Sequence, residues 1–309
     1  MLLKPRLPAT LRVLERGWLS SNNTLLFDGD KATLVDSGYV THATQTLALI
    51  DHALEGRQLT RIINTHAHSD HIGGNAAIKQ QHGCRISVPA GSAQTLGEWD
   101  EDALLISSAA QQITRFEFDD TIAAGDEVTM GNMVWRAIAA PGHEAHALVF
   151  YAPQEKLLIS GDALWEDGFG IIFRALLGDT DAMPATRRTL EMLATLDVHT
   201  VIPGHGAPFA DYPSAITRAL QRMAAFEASP ERLARHALKA LFAFTLLERR
   251  RMGLTDAYAH FSNTPLFRYV MSRFFTQEPE EVVMLLLNDL VRARVLGEQD
   301  GDIVALQAN

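Results

Sequence analysis

Short apolar runs and longer amphipathic stripes alternate along this chain, and their periods place the elements. Residues 11–16 and 24–36 carry strand-like runs, with Asp28-Gly29-Asp30 between Leu25-Leu26-Phe27 and Ala32-Thr33-Leu34-Val35. An Asp-Gly pair between two such runs predicts a hairpin, because glycine readily adopts the positive φ that a tight turn demands. A helix follows from about Thr41 to Ala53, with the Thr41 hydroxyl as its expected N-terminal cap. Short strands are predicted at Arg61–Asn64 and Arg85–Val88, then a strand-rich stretch across 113–160 broken by Gly125-Asp126, Gly131-Asn132 and Pro153. A helix at about 184–196, with Pro184 near its first turn, leads to a strand at Thr200-Val201-Ile202.

After Pro208 the period becomes mostly helical. Ala234, Ala237, Leu238, Leu241 and Phe242 are spaced i, i+3, i+4, i+7 and i+8, and Val283, Leu286, Leu287 and Leu290 make a second stripe behind Pro279. The chain then closes on a β-hairpin pattern around Gln299-Asp300-Gly301. Helices followed by a hairpin suggest a winged-helix-like module, and a helical lid with a short hairpin predicts nearly the same pattern. The expected organisation is a catalytic domain over 1–210 and a helical, winged-helix-like domain over 211–309.

Composition narrows the class. An apolar content of 47% over 309 residues is ample for a buried core and excludes disorder. The single cysteine, Cys84, excludes an internal disulfide framework and fits a reducing compartment. Prolines and charges break the apolar run in Met1–Pro8 before a signal-peptide core could form, and no later run reaches membrane-spanning length. The expectation is a cytoplasmic protein without a membrane partner. Residues 211–309 hold 12 Lys/Arg and 12 Asp/Glu, so the whole net charge of −10 falls on residues 1–210, with 15 against 25. That balance disfavours nucleic acid, whose binders concentrate positive charge. The C-terminal module is expected to act by packing, as a lid or a homodimer surface.

Thr65-His66-Ala67-His68-Ser69-Asp70-His71 carries the chemistry, placing three histidines and a carboxylate within six residues, directly after a strand. Imidazole and carboxylate at this density are metal ligands far more often than packing residues. His66 and His68 can point to one centre while Asp70 and His71 point to a second, and Gly73-Gly74 let the next helix start close by. Three later residues sit after strands among small neighbours: His143 in Ala140-Pro141-Gly142-His143, Asp162 in Ile159-Ser160-Gly161-Asp162, and His205 in Pro203-Gly204-His205-Gly206. Singly each reads as a cap or turn residue; together they complete two coordination spheres.

The ordered set HAHSDH, PGH, GDA and PGHG over roughly residues 10–210 resembles the metallo-β-lactamase superfamily, in particular its glyoxalase II-like hydrolases. The resemblance implies an α+β fold, an αββα sandwich with the metals in a groove at one edge of the two sheets. It implies that His66, His68 and His143 hold one divalent cation, that Asp70, His71 and His205 hold another, and that Asp162 bridges them. Nitrogen and oxygen donors suit zinc and admit iron or manganese. Asp36 matches the family's early aspartate, which orients a ligand; a strand-end turn is the other reading of it. A water held between two cations ionises near neutral pH, so Asp70, Asp162 and the metals would act on a thioester or ester of a small molecule without a serine or cysteine nucleophile.

Many zinc β-lactamases of the family carry Cys or Ser where this chain has Asp162, which sets antibiotic hydrolysis aside. Glu144 and Ala147 stand where the family often has Ser or Thr and a second His, which reads His146 as a residue beside the site or at the surface. Basic glutathione-binding residues have no clear counterpart here, so a glutathione thioester is not favoured. Two rival functions remain: an endoribonuclease of the same superfamily, and a metal-containing regulatory or ligand-binding protein. Finally, Trp165–Phe173 is unusually apolar for a loop, and its Phe169, Ile171, Ile172 and Phe173 either pack under the C-terminal helices or wall an acyl pocket.

Overall fold

The computed structural model describes residues 4–306; Met1–Leu3, part of the N-terminal segment read above, lie outside the described residues. The first sheet has the order β1 (Leu11–Leu14), β2 (Asn23–Asp28), β3 (Lys31–Val35), β4 (Gln58–Ile63), β5 (Arg85–Pro89) and β6 (Asp120–Ile122). Its first three strands are antiparallel and the rest run parallel, joined by helices that cover the outer face. Those helices are α1 (Ala43–Leu54), α2 (Ser69–Ile72), α3 (Asn75–His82) and α4 (Ala93–Glu98). The second sheet has β7 (Glu127–Met130), β8 (Met133–Ala139), β9 (Leu148–Ala152), β10 (Leu157–Gly161) and β11 (Thr200–Pro203) in the order β11-β10-β9-β8-β7. β10 and β11 are parallel, and the others pair antiparallel.

The layering follows from the burial periods. β8 alternates buried and exposed residues, with Met133, Trp135 and Ala137 turned inward. Between the sheets these meet Leu26, Val35, Ile63, Phe150, Ile159 and Ile202. A second cluster, with Leu34, Ile50, Ile62 and Ile86, lies between the first sheet and its helices. On the far face of the second sheet, Val149, Leu158 and Val201 pack with the helical layer. The result is the expected four-layer αββα sandwich.

The helical layer contains α5 (Phe173–Leu176), α6 (Ala182–Leu193), α7 (Tyr212–Ala228), α8 (Pro230–Arg249), α9 (Leu254–Asn263), α10 (Pro265–Phe274) and α11 (Pro279–Arg292). Both predicted stripes are buried in it, and Phe242 stacks on Phe261 with ring centroids 4.2 Å apart. Pro230, Pro265 and Pro279 open their helices, where a missing N–H costs nothing. The terminal hairpin, β13 (Leu296–Gln299) with β14 (Asp302–Ala305), is joined by β12 (Arg251–Gly253), a third strand that its Arg-rich sequence did not reveal. In Arg249-Arg250-Arg251, Arg249 ends α8, Arg250 takes a left-handed φ of 65° and Arg251 leaves for the sheet. Its guanidinium lies 2.5 Å from Asp302 and 3.2 Å from Asp300.

Three local expectations are corrected. Thr41 caps no helix: the chain makes a 3-10 turn over Val40–His42, and α1 starts at Ala43 without a side-chain cap. The strand-rich stretch begins only at Asp120, because residues 99–119 form turns that lie against α8 and α10 through Gln112 and Ser108. Ile172 and Phe169 are core residues, 0% and 2% exposed, so they do not wall a pocket. Among the described residues no helix is long and apolar enough to cross a membrane.

Candidate metal centre

Four strand ends converge on one rim of the sandwich. β4 delivers Thr65–His71, β8 delivers Ala140–His143, β10 delivers Asp162 and β11 delivers Gly204-His205. β10 and β11 run parallel, with Gly161 opposite Pro203, so their C-terminal ends leave the sheet side by side. The two sheets are tied together there by backbone bonds from Leu148 N–H to Thr65 O at 2.8 Å and from Asn22 N–H to Gly204 O at 2.7 Å, while Gly204 N–H to Gly161 O at 2.8 Å joins β11 to β10 within the second sheet. The glycines allow close packing. A Cβ on Gly73 would lie 2.5 Å from Ser69 O and Val40 N, and one on Gly74 would lie 2.3 Å from Ser37 O.

All seven residues singled out in the sequence come together. Donor atoms of His66, His68 and His143 lie within 4.8 Å of one another; so do those of His66, His71 and Asp162, and those of Asp70, His71 and His205. Asp162 stands between the sets, with Oδ2 3.4 Å from His143 Nε2 and Oδ1 3.4 Å from His71 Nε2 and 3.8 Å from His205 Nε2. Asp70 Oδ2 is 3.0 Å from His205 Nε2.

Hydrogen bonds fix which nitrogen of each ring is bare. An ionised carboxylate only accepts, so His71 Nδ1 donates to Asp36 Oδ2 at 2.8 Å. Thr65 Oγ1 likewise donates to Asp36 Oδ2 at 2.8 Å, which leaves its lone pair to accept from His66 Nδ1 at 3.0 Å. Ile171 O accepts from His143 Nδ1 at 2.7 Å. The Nε2 atoms of His66, His71 and His143 therefore face the cluster, where His143 Nε2 meets His68 Nδ1 at 2.7 Å. Buried His66 Nε2 and His71 Nε2 have no hydrogen-bond partner, a costly arrangement unless another group completes it. Bare imidazole nitrogens and two carboxylates, all aimed inward, are the donor set a pair of divalent cations requires. These residues fit such ions.

The electrostatics differ from ring to ring. Burial and neighbouring imidazoles push His66 well below its ordinary value and His68 down to about 3, so both are neutral and free to coordinate. For His71, burial acts downward, yet Asp162, Asp36 and Asp70 overcome it and raise the ring well above its usual range. For Asp162, burial acts upward, and His71 and His205 outweigh it to hold the carboxyl well below normal. Cys84 lies in the other layer, where burial pushes its thiol up to about 11, so it is no rival nucleophile.

Other contacts were not singled out from the sequence. Thr65 relays Asp36 to His66, and Asp36, 3% exposed with a left-handed φ of 59° at the end of β3, also accepts directly from His71 Nδ1. Trp165 Nε1 donates to Asp162 Oδ1 at 3.1 Å. Trp18, 52% exposed, stacks on His205 with an interplanar angle of 7° and meets Trp165 edge-on. No motif announces these two; the one signal was Trp165 standing three residues past Asp162. Exposed His146 lies over Gly91, apart from the three donor sets.

Gly204 supplies a direct test of the geometry. A Cβ there would sit 2.2 Å from Asp162 Oδ1 and 2.9 Å from His71 Cε1. Gly204→Ala is expected to displace the Asp162 carboxylate, lowering metal affinity by about 10- to 100-fold with unchanged far-UV circular dichroism. Wild-type metal content and affinity in that variant would refute the placement.

Comparison with known proteins agrees with this geometry. The sequence profile of the Metallo-beta-lactamase superfamily matches residues 16–205. A hydroxyacylglutathione hydrolase of Rhodopseudomonas palustris is 31% identical over 148 residues, 44% of this chain and 51% of that protein. Another, from Rhodospirillum rubrum, is 32% identical over 146 residues, covering 44% and 50%. The match thus spans about half the length of these hydrolases. The probable metallo-hydrolase YqgX of Bacillus subtilis is 28% identical over 201 residues, 62% of this chain and 87% of that one. The crystal structure of a metallo-beta-lactamase family protein from Thermus thermophilus superposes with a TM-score of 0.60 at 18% identity, over 97% of this chain and 100% of the other. That likeness shows a shared fold, helical layer included.

Proposed function

Because this chain belongs to the metallo-beta-lactamase superfamily, we propose that it hydrolyses a thioester or ester of a small molecule at a centre of two divalent cations, zinc foremost. The carrying observation is the pair of donor sets that share the buried Asp162. Cations bound there would lower the pKa of a water towards neutrality and would offset negative charge on the substrate carbonyl oxygen. His66, His68 and His143 would hold one ion, Asp70, His71 and His205 the other, with Asp162 touching both.

The chain's own residues supply the rest. Asp36 keeps the His71 proton on Nδ1, and Ile171 O does the same for His143. Asp70 is the acid-base group of this reading. Burial pushes its carboxyl up, but His71 and His205 prevail and lower it, so it is an ionised acceptor. It takes a proton from the attacking water as the C–O bond forms, and returns it to the departing sulfur or oxygen as the acyl bond breaks. Residues 1–210 would form the catalytic unit and 211–309 a covering domain.

The names of the relatives put glutathione thioesters in the substrate panel, beside other thioesters and simple esters. Protein purified without chelator should carry about two metals per chain and turn over at least one thioester or ester in that panel. Turnover of single-stranded RNA in preference to every ester would overturn this reading in favour of a nuclease. The acidic balance of residues 1–210 weighs against that result.

A further inference from the structure

The turn between Trp165 and Ile171 touches the metal centre on one side and α7 on the other. Inward, Trp165 Nε1 bonds Asp162 Oδ1 at 3.1 Å and Ile171 O accepts from His143 Nδ1 at 2.7 Å. Gly170 lies so close to that imidazole that a Cβ would fall 2.6 Å from His143 Nδ1. The turn also closes on itself, through Trp165 N–H to Gly168 O at 2.7 Å and Gly170 N–H to Asp162 O at 2.8 Å.

Outward, one arginine grips the turn and a second packs against it. Arg218 donates through Nε and Nη2 to Glu166 O at 2.9 and 2.7 Å, and its Nε lies 3.0 Å from Asp167 Oδ1. Half-buried Arg222 lies flat against Gly168, where a Cβ would come within 2.4 Å of Nη1. One helical turn further, Phe226 meets Phe169 edge-on with centroids 6.2 Å apart. Arg218, Arg222 and Phe226 are spaced by four residues, which puts all three on one face of α7.

We infer that Arg218 and Arg222 are positioning residues of the metal centre, acting through Trp165 on Asp162 and through Ile171 on His143. The inference rests on the two-cation reading above. A carboxylate that serves two donor sets has to be held in one rotation, and the indole N–H on Oδ1 fixes it. The indole can do so only if the turn is held; Phe169 anchors its far end in the core, whereas its exposed tip, Glu166 and Asp167, is held by Arg218. A planar guanidinium fork on a carbonyl provides the grip that a lysine would not.

The test compares wild type with Trp165→Phe, which removes the N–H and keeps an aromatic ring, and with the double variant Arg218→Ala/Arg222→Ala. Zinc is titrated into each apo protein against a chromophoric chelator, beside apo thermal unfolding and kcat and KM on a turned-over substrate. Both variants should bind the weaker-held zinc about 10- to 100-fold less tightly, with lower kcat, near-constant KM and an apo Tm close to wild type. Two zinc ions bound with wild-type affinity in either variant would overturn the inference. Should the double variant fail to fold, Arg218→Lys, which keeps the charge but loses the fork on Glu166 O, replaces it and decides by the same zinc titration. Because zinc affinity is read without substrate, absence of any ester turnover would sink the proposed reaction and leave this inference standing.

Discussion

Asp162→Ala is expected to abolish turnover to within assay limits, a loss of at least about 10²- to 10³-fold, and to lower metal content below two per chain. Asp162 lies close to nitrogens of both sets, at 3.4 Å from His143 and 3.4 Å from His71, so its loss removes a donor from each. It also removes the negative charge that His71 and His205 face in a buried site. Asp162→Asn separates the two effects, since it keeps the shape and the Trp165 contact but not the charge. Stripping the wild type with a chelator should reproduce the loss, and zinc should restore it. Stability should move too: at a free metal concentration about 1,000 times Kd, each site adds about 4 kcal/mol to the folded state. Elemental analysis, steady-state rates and Tm with and without chelator make the check. Wild-type turnover in Asp162→Ala would show that the ions, or the reaction, lie elsewhere.

Asp36→Ala is expected to cost almost as much without touching any ion directly. Asp36 Oδ1 accepts from Thr65 N–H at 2.8 Å, while Oδ2 accepts from Thr65 Oγ1 and His71 Nδ1, both at 2.8 Å. Truncation leaves three buried donors without an acceptor, at about 1–3 kcal/mol each before relaxation. Two rings also lose their orientation, His71 directly and His66 through Thr65, which should reduce metal affinity or turnover by about 10- to 100-fold. Asp36→Asn should behave in the same direction but more mildly, because a carboxamide oxygen can keep one or two of the donors. The measurement pairs denaturant unfolding of the apo protein with zinc titration. A variant that is destabilised yet binds zinc normally would reduce Asp36 to a strand-end residue.

Much of this molecule was legible locally. The Asp28-Gly29-Asp30 turn, the buried stripes of α8 and α11 and the terminal hairpin rest on interactions a few residues apart, which the periods of 2 and 3.6 express directly. The identities of the seven candidate ligands were legible for a different reason: coordination chemistry restricts the residue types, and three of the four segments carry their donor among small residues after a strand. The terminal cap of α1 was misread because a 3-10 turn satisfied the same N–H groups that a Thr41 hydroxyl would have taken.

What the sequence could not decide is how distant segments meet. Asp36, Thr65 and His71 form one hydrogen-bonded unit only because β3 and β4 run parallel and end together. The apolar segment after Asp162 could have lined a pocket or filled the core, and the choice for Phe169 and Ile172 fell to the helical layer, which packs on them and buries both. The contact of Arg218 and Arg222 with the Trp165 turn spans some fifty residues of chain. Such contacts are fixed by sheet order and layer packing, which depend on the whole buried surface at once, whereas the choice of side chains able to hold a metal is a property of each residue alone.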